Sequence, residues 1–167
     1  MNTPMIVRFW GVRGTVPAPG AKTVRYGGNT TCVSVTLGPD KTLIFDAGTG
    51  IRDLGKALMN NQSDIFILVT HSHWDHIQGF PFFAPIYQPD RDITVVPGIV
   101  SDGNHNAVID QMKGSLFPVP FDTLASNITI DPKPTDVNEW RIGDAKIKRM
   151  LINHPGGGCA YSVQTID

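Results

Sequence analysis

Three of the five histidines in this chain fall in one short stretch, His71-Ser72-His73-Trp74-Asp75-His76. Two imidazoles one residue apart, on a loop leaving a strand, can turn toward one point. The carboxylate and imidazole that follow can serve an adjacent point on the other side of the turn. Imidazole and carboxylate are donors suited to Zn²⁺, Fe or Mn²⁺. The stretch therefore reads as two neighbouring cation positions, one fed by His71 and His73, the other by Asp75 and His76. The plainer alternative is a polar surface turn whose histidines are incidental. Two facts weigh against it. The stretch directly follows the apolar run Ile65-Phe66-Ile67-Leu68-Val69-Thr70, and the end of a buried strand is where layered α/β sheets place ligands. Polar groups crowded there are costly to desolvate unless something organises them.

The elements that must position these groups are short and numerous. Seventeen Gly and 13 Pro in 167 residues predict many turns between strands rather than a helical bundle. The length predicts one domain over residues 1–167, large enough to bury a core without disulfides. Apolar residues make up 41% and charged residues 17%, with a formal net charge of −1. That balance excludes a disordered chain and gives no global field for bulk phosphate attraction, so nucleic acid is not an expected partner. Cys32 and Cys159 form no paired motif and read as buried, reduced thiols of a cytoplasmic protein. The opening Met1-Asn2-Thr3-Pro4-Met5 has no basic stretch leading into a long apolar one, so no secretory leader is expected. No apolar run is long enough to span a bilayer, and no membrane partner is expected.

Pattern predicts strands at 5–10, 31–37 and 42–46, the last two joined by the turn sequence Gly38-Pro39-Asp40-Lys41. Ile51, Leu54, Leu58 and Met59 share one face of a helix over 50–60. The buried strand 65–70 follows. A helix over 77–84, a strand over 92–96 and a helix over 106–113 come next, then strands at 126–131, 140–142, 145–152 and 159–165. Strand, helix and buried strand in this order predict an α/β layered fold.

The pattern His71-x-His73-x-Asp75-His76 after an apolar strand resembles the signature of the metallo-β-lactamase-fold hydrolases. Upstream, Ile44-Phe45-Asp46-Ala47-Gly48-Thr49-Gly50 resembles the Asp-x-Gly turn preceding that motif. Val7-Arg8-Phe9-Trp10-Gly11-Val12-Arg13-Gly14 and Tyr26-Gly27-Gly28-Asn29-Thr30 resemble the branch of phosphodiesterases related to ribonuclease Z and the phosphonate pathway. The resemblance implies an αββα sandwich of two similar halves. It also implies a third histidine for the first metal, on the loop after a later strand. His154, in Asn153-His154-Pro155-Gly156-Gly157-Gly158, fits that place. The metal set is then His71, His73, Asp75, His76 and His154, holding one or two ions of Zn²⁺, Mn²⁺ or Fe. The implied reaction is metal-assisted hydrolysis of a small ester, a phosphodiester first, with lactones and thioesters served by the same fold. With a single metal, Asp75 becomes the proton acceptor instead. Asp46 either caps the following helix or orients a ligand imidazole. Arg13 and Arg25, on glycine-rich loops, could add positive charge near a substrate. His105 reads as an exposed loop residue.

That family also uses a bridging aspartate and a last histidine from its C-terminal half. After His154 this sequence has one acidic residue, Asp167, which is terminal and not expected to bridge. The second half of the fold is therefore expected to be incomplete. Three explanations stand: a fragment, a site completed by another chain (a second copy or a different one), or a remnant that binds one metal weakly.

Overall fold

The computed structural model describes residues 5–99, 103–133 and 136–165. Met1 to Pro4 and Asp167 lie outside them. Strands β1 (Ile6–Gly11), β2 (Cys32–Leu37) and β3 (Lys41–Phe45) form an antiparallel meander, its second turn made at Gly38 with φ 64°. Helix α1 (Ile51–Leu58) then crosses over to β4 (Asp64–Leu68), which lies parallel to β3. Strands β5 (Asp92–Val96) and β6 (Asn127–Ile130) extend the parallel half, and the order is β1-β2-β3-β4-β5-β6. Strands β7 (Glu139–Ile142), β8 (Ala145–Leu151) and β9 (Cys159–Thr165) make a second, antiparallel sheet of three.

Alternation along the central strands builds two cores, because successive side chains leave opposite faces. Ile44, Ile65, Ile67, Ile93 and Val95 face a layer containing α1 and two single-turn helices, α2 (Trp74–Ile77) and α3 (Ala107–Asp110). Leu43, Leu68 and Val96 face Ile142, Ala145 and Ile147 of the second sheet. Arg149, on the same inward face of β8, is buried and donates to the Val137 carbonyl at 2.8 Å. The layers thus run helices, large sheet, small sheet. Among the described residues no helix covers the outer face of the small sheet. The large sheet is also not fully covered: Val7, paired with Val35, and Phe9 on the edge strand remain 51% and 68% exposed.

Three expected elements differ. The helix expected over 77–84 begins earlier, at Trp74, and stops at Ile77. Pro81 and Pro85 lack the N–H that a continuing α-helix requires, so the chain forms two 3₁₀ turns, Phe80–Phe82 and Ala84–Tyr87. Phe80, Phe83 and Ile86 recur every third residue and are fully buried, the period of a 3₁₀ turn rather than of an α-helix. The helix expected over 106–113 closes at Asp110, because Met112 and Lys113 donate to the third residue back, tightening the chain into turns. The strand expected over 65–70 leaves the ladder after Leu68. Thr70 gives its amide to a side chain instead, with consequences for the site.

Ile67 is fully buried on the central strand. Ile67→Ala is expected to cost about 2–5 kcal/mol, read as a lower urea midpoint at unchanged slope. A loss below about 1 kcal/mol would show that this face does not carry the core.

Candidate metal centre

The site begins where β3 and β4 end side by side. Asp46, one residue past β3, is 4% exposed and takes a left-handed backbone with φ 63°, which Asp tolerates better than most residues. Its amide donates to Leu68 O at 3.1 Å, and its carboxylate turns onto the residues that follow β4. Oδ1 accepts the Thr70 amide at 2.7 Å and the Thr70 hydroxyl at 3.0 Å, while Oδ2 lies 2.8 Å from His76 Nδ1. Helix α1 is capped by Gly50 with no side-chain bond, so Asp46 does not cap it. Of the two readings of Asp46, the orienting contact is the one present.

Proton counting then fixes the imidazoles. A carboxylate only accepts, so the single Thr70 hydroxyl proton goes to Asp46 and His76 Nδ1 carries the hydrogen shared with Oδ2. The hydroxyl oxygen, 3.0 Å from His71 Nδ1, is left to accept from it. His71 therefore presents Nε2 as a bare lone pair, while His76, with its Nδ1 hydrogen on Asp46, turns Nε2 toward Asp75. Burial drives the His71 pKa down to about 4, with repulsion from His76, His154 and His73 adding to it, so this ring is neutral at neutral pH. Burial alone would lower His76 as well. The hydrogen bond and charge of Asp46 outweigh it and hold His76 above its ordinary value.

His71 Nε2 lies 3.1 Å from His73 Nδ1, and His154 Nε2 lies 3.2 Å from the same atom. One nitrogen from each of the three rings falls within 4.8 Å of the others. Nitrogens bound to a tetrahedral Zn²⁺ at about 2.0–2.1 Å are about 3.3 Å from one another. The spacing and the donor type fit such an ion. His71 is buried, His154 is half-buried and His73 is exposed, which leaves one side open.

His154 reaches this place from far along the chain because the β8–β9 hairpin is pinned to the end of β4. The Cys159 amide donates to Thr70 O at 3.0 Å, and Tyr161 OH donates to Val69 O at 3.0 Å. Within the hairpin loop, Ile152 N donates to Gly158 O and Gly157 N to His154 O. Gly156, with φ 80°, passes close enough that a Cβ would stand 3.7 Å from His73 Nε2.

Asp75 and His76 form a separate pair beside the trio, with Asp75 Oδ2 3.6 Å from His76 Nε2. Burial would raise the Asp75 pKa. The Thr15 amide, donating to Oδ2 at 2.7 Å, and the neighbouring His76 reverse this and hold the carboxyl below its usual range. Helix α2 is set by close backbone approach: Ala47 N donates to His76 O at 2.7 Å and Gly79 N to Ala47 O at 2.8 Å. A Cβ on Gly79 would lie 2.1 Å from Gly48 O, so no other residue fits there without moving the helix.

His105 is exposed in a turn, away from the trio. Arg13 donates from Nε to Val16 O, and the Arg25 guanidinium lies 5.0 Å from the Tyr26 ring. Two residues absent from the sequence reading matter here, Thr70 and Thr15. Thr70 is detectable in principle, as a β-branched hydroxyl placed between the apolar run and the first histidine. Thr15 acts through its backbone amide, which leaves no trace in residue type.

Residues 25–164 match the sequence profile of the Metallo-beta-lactamase superfamily, and the chain belongs to that family. No curated protein matches it by sequence. Among solved structures it is similar to the metallo-beta-lactamase fold protein YhfI from Bacillus subtilis, with 19% identity and a TM-score of 0.64 over 97% of this chain and 59% of that one. A diphosphatase from the PhnP family matches over 94% of this chain and 61% of its own, with 14% identity and a TM-score of 0.63. Zn²⁺-bound PqqB from Methylobacterium extorquens gives 14% identity and a TM-score of 0.52, over 95% and 61%. The chain thus spans about three-fifths of the length of each.

Asp46→Ala removes the acceptor of both Thr70 donors and of His76. The expected loss is about 1–3 kcal/mol of unfolding free energy, with Zn²⁺ affinity lowered about 10–100-fold, read by chemical denaturation and by competition with a chromogenic chelator. An unchanged affinity would show that Asp46 does not orient the imidazoles.

Proposed function

We propose that this chain carries the metal centre of a hydrolase acting on small phosphodiesters. The observation that supports this most is the convergence of His71, His73 and His154 on one point from two sheets. His71, His73 and His154 would hold one cation, and Asp75 with His76 would help hold a second. A divalent cation in such a site supplies Lewis acidity and lowers the pKa of water.

The chain's own residues set the conditions for that chemistry. Burial keeps His71 unprotonated, so its lone pair is available at neutral pH. Asp46 accepts from His76 Nδ1 and keeps that ring turned with Nε2 outward. Asp75, held ionised by the Thr15 amide, can bind a cation or take a proton. The open side at His73 is where an ester enters. Arg13 and Arg25 are exposed, and their charge would attract an anionic ester toward it. Support for a phosphorus ester over a lactone or thioester comes from the likeness to the diphosphatase. Among the described residues no helix is long and apolar enough to cross a membrane, and both cysteines are free and buried. The free, buried thiols support a reducing compartment such as the cytoplasm.

A second reading has its own observation. Val7 and Phe9 leave apolar surface uncovered beside the second sheet, and the chain spans about three-fifths of the structures it resembles. On that reading the chain is a metal-binding half that needs further polypeptide, from another chain or a second copy, to turn over substrate.

Metal content separates the two. The hydrolase reading expects two equivalents of Zn²⁺ or Mn²⁺ per chain and cleavage of bis(p-nitrophenyl) phosphate that a chelator abolishes. His154→Ala is expected to lower kcat/KM at least about 100-fold. At most one equivalent, with no turnover in excess metal, favours the incomplete half. No uptake at all would overturn both.

A further inference from the structure

The segment from Gly11 to Gly20 is rich in glycine and proline, and composition alone makes it a connecting loop. Its backbone is tied on both sides. Arg13 N donates to Asn29 O at 3.1 Å and Ala18 N to Gly28 O at 2.9 Å, while Arg13 Nε closes the tip on Val16 O at 2.9 Å. Between these ties stands Thr15, in the left-handed region with φ 70°. A β-branched residue there is a genuine outlier, held only where its surroundings over-determine it. The side chain is exposed, so packing does not explain the conformation. A tight turn closed by Val16 N donating to Gly14 O at 2.9 Å sets it, and that turn aims the Thr15 amide at Asp75 Oδ2, 2.7 Å away and sixty positions along the chain.

We propose that Thr15 is the positioning residue for Asp75, its backbone amide fixing the carboxylate beside His76 and so making this loop part of the metal centre. The loop belongs to the first β-meander, whereas Asp75 belongs to the helix after β4. The bond thus ties the loop directly to that helix. The bond holds Oδ2, the oxygen that lies 3.6 Å from His76 Nε2, and so limits where the carboxylate can turn. Among the described residues this is the contact by which the loop reaches the site. The inference rests on the metal-centre reading for its consequence, but not for the bond itself.

The test separates the two. Hydrogen exchange on the full chain reads the bond directly: the Thr15 amide, on an exposed residue, is expected to exchange at least about tenfold more slowly than in Asp75→Ala, with the Arg13 and Ala18 amides unchanged. Zn²⁺ titration reads the consequence. Thr15→Pro removes the donor and, with φ fixed at about −65°, also the turn that aims it, and is expected to weaken the ion held by Asp75 and His76 about tenfold, whereas Thr15→Gly keeps the amide, suits the left-handed conformation and stays within about twofold. In the Asp75→Ala background Thr15→Pro is expected to add nothing. A Thr15 amide indifferent to Asp75→Ala overturns the proposal, as does an equal Thr15→Pro loss in that background. If the wild-type chain takes up no Zn²⁺, the metal-centre reading fails, and exchange alone decides whether Thr15 holds Asp75.

Discussion

The centre depends on what Thr70 does with its three polar groups. Its amide and hydroxyl both go to the Asp46 carboxylate, and its carbonyl accepts the Cys159 amide at the start of β9. A single residue thus ties the end of β3 to the end of β4 and the second sheet to both. His71 follows directly and shares the Thr70 hydroxyl oxygen through Nδ1. With the amide of Thr70 committed to a side chain, the strand cannot continue, and the chain turns out of the sheet where the histidines are needed. Strand termination and imidazole orientation are the same event.

The electrostatics differ from one ring of the cluster to the next. His71 Nε2 and His154 Nε2 lie 3.1 and 3.2 Å from His73 Nδ1, and the His71 nitrogen is a bare lone pair. Burial keeps the His71 ring neutral at neutral pH. A cation there would be shared by all three imidazoles. The Asp46–His76 contact serves differently, since its charge and hydrogen bond offset the burial of that ring and leave Nε2 facing Asp75. Two histidines close in sequence are thus held in opposite electrostatic settings by one carboxylate and one hydroxyl.

Much of this was legible in the residues, and the reasons are physical. Ile65 to Leu68 is apolar on both faces because it is covered on both, and that alone marks the central strand. The histidine motif was legible because ligand chemistry restricts residue type. His154 required the family resemblance, since its approach depends on a hairpin register that no local pattern encodes. The helix over 77–84 was misread because apolar spacing of three and of three-to-four overlap in a short window, and the prolines should have decided it. Asp46 was ambiguous for a related reason: an acidic residue before a helix looks like a cap, and only the Gly50 cap and the Thr70 contacts separate the two roles. Thr15 was invisible because a backbone amide carries no sequence signature.

The central claim is that imidazoles from two sheets share one cation. X-ray absorption on the chain loaded with one equivalent of Zn²⁺ tests it most directly. The account expects imidazole scattering from three histidines at about 2.0 Å, falling to two in His154→Ala. A first shell made of oxygen alone, or a spectrum unchanged by that substitution, would contradict it.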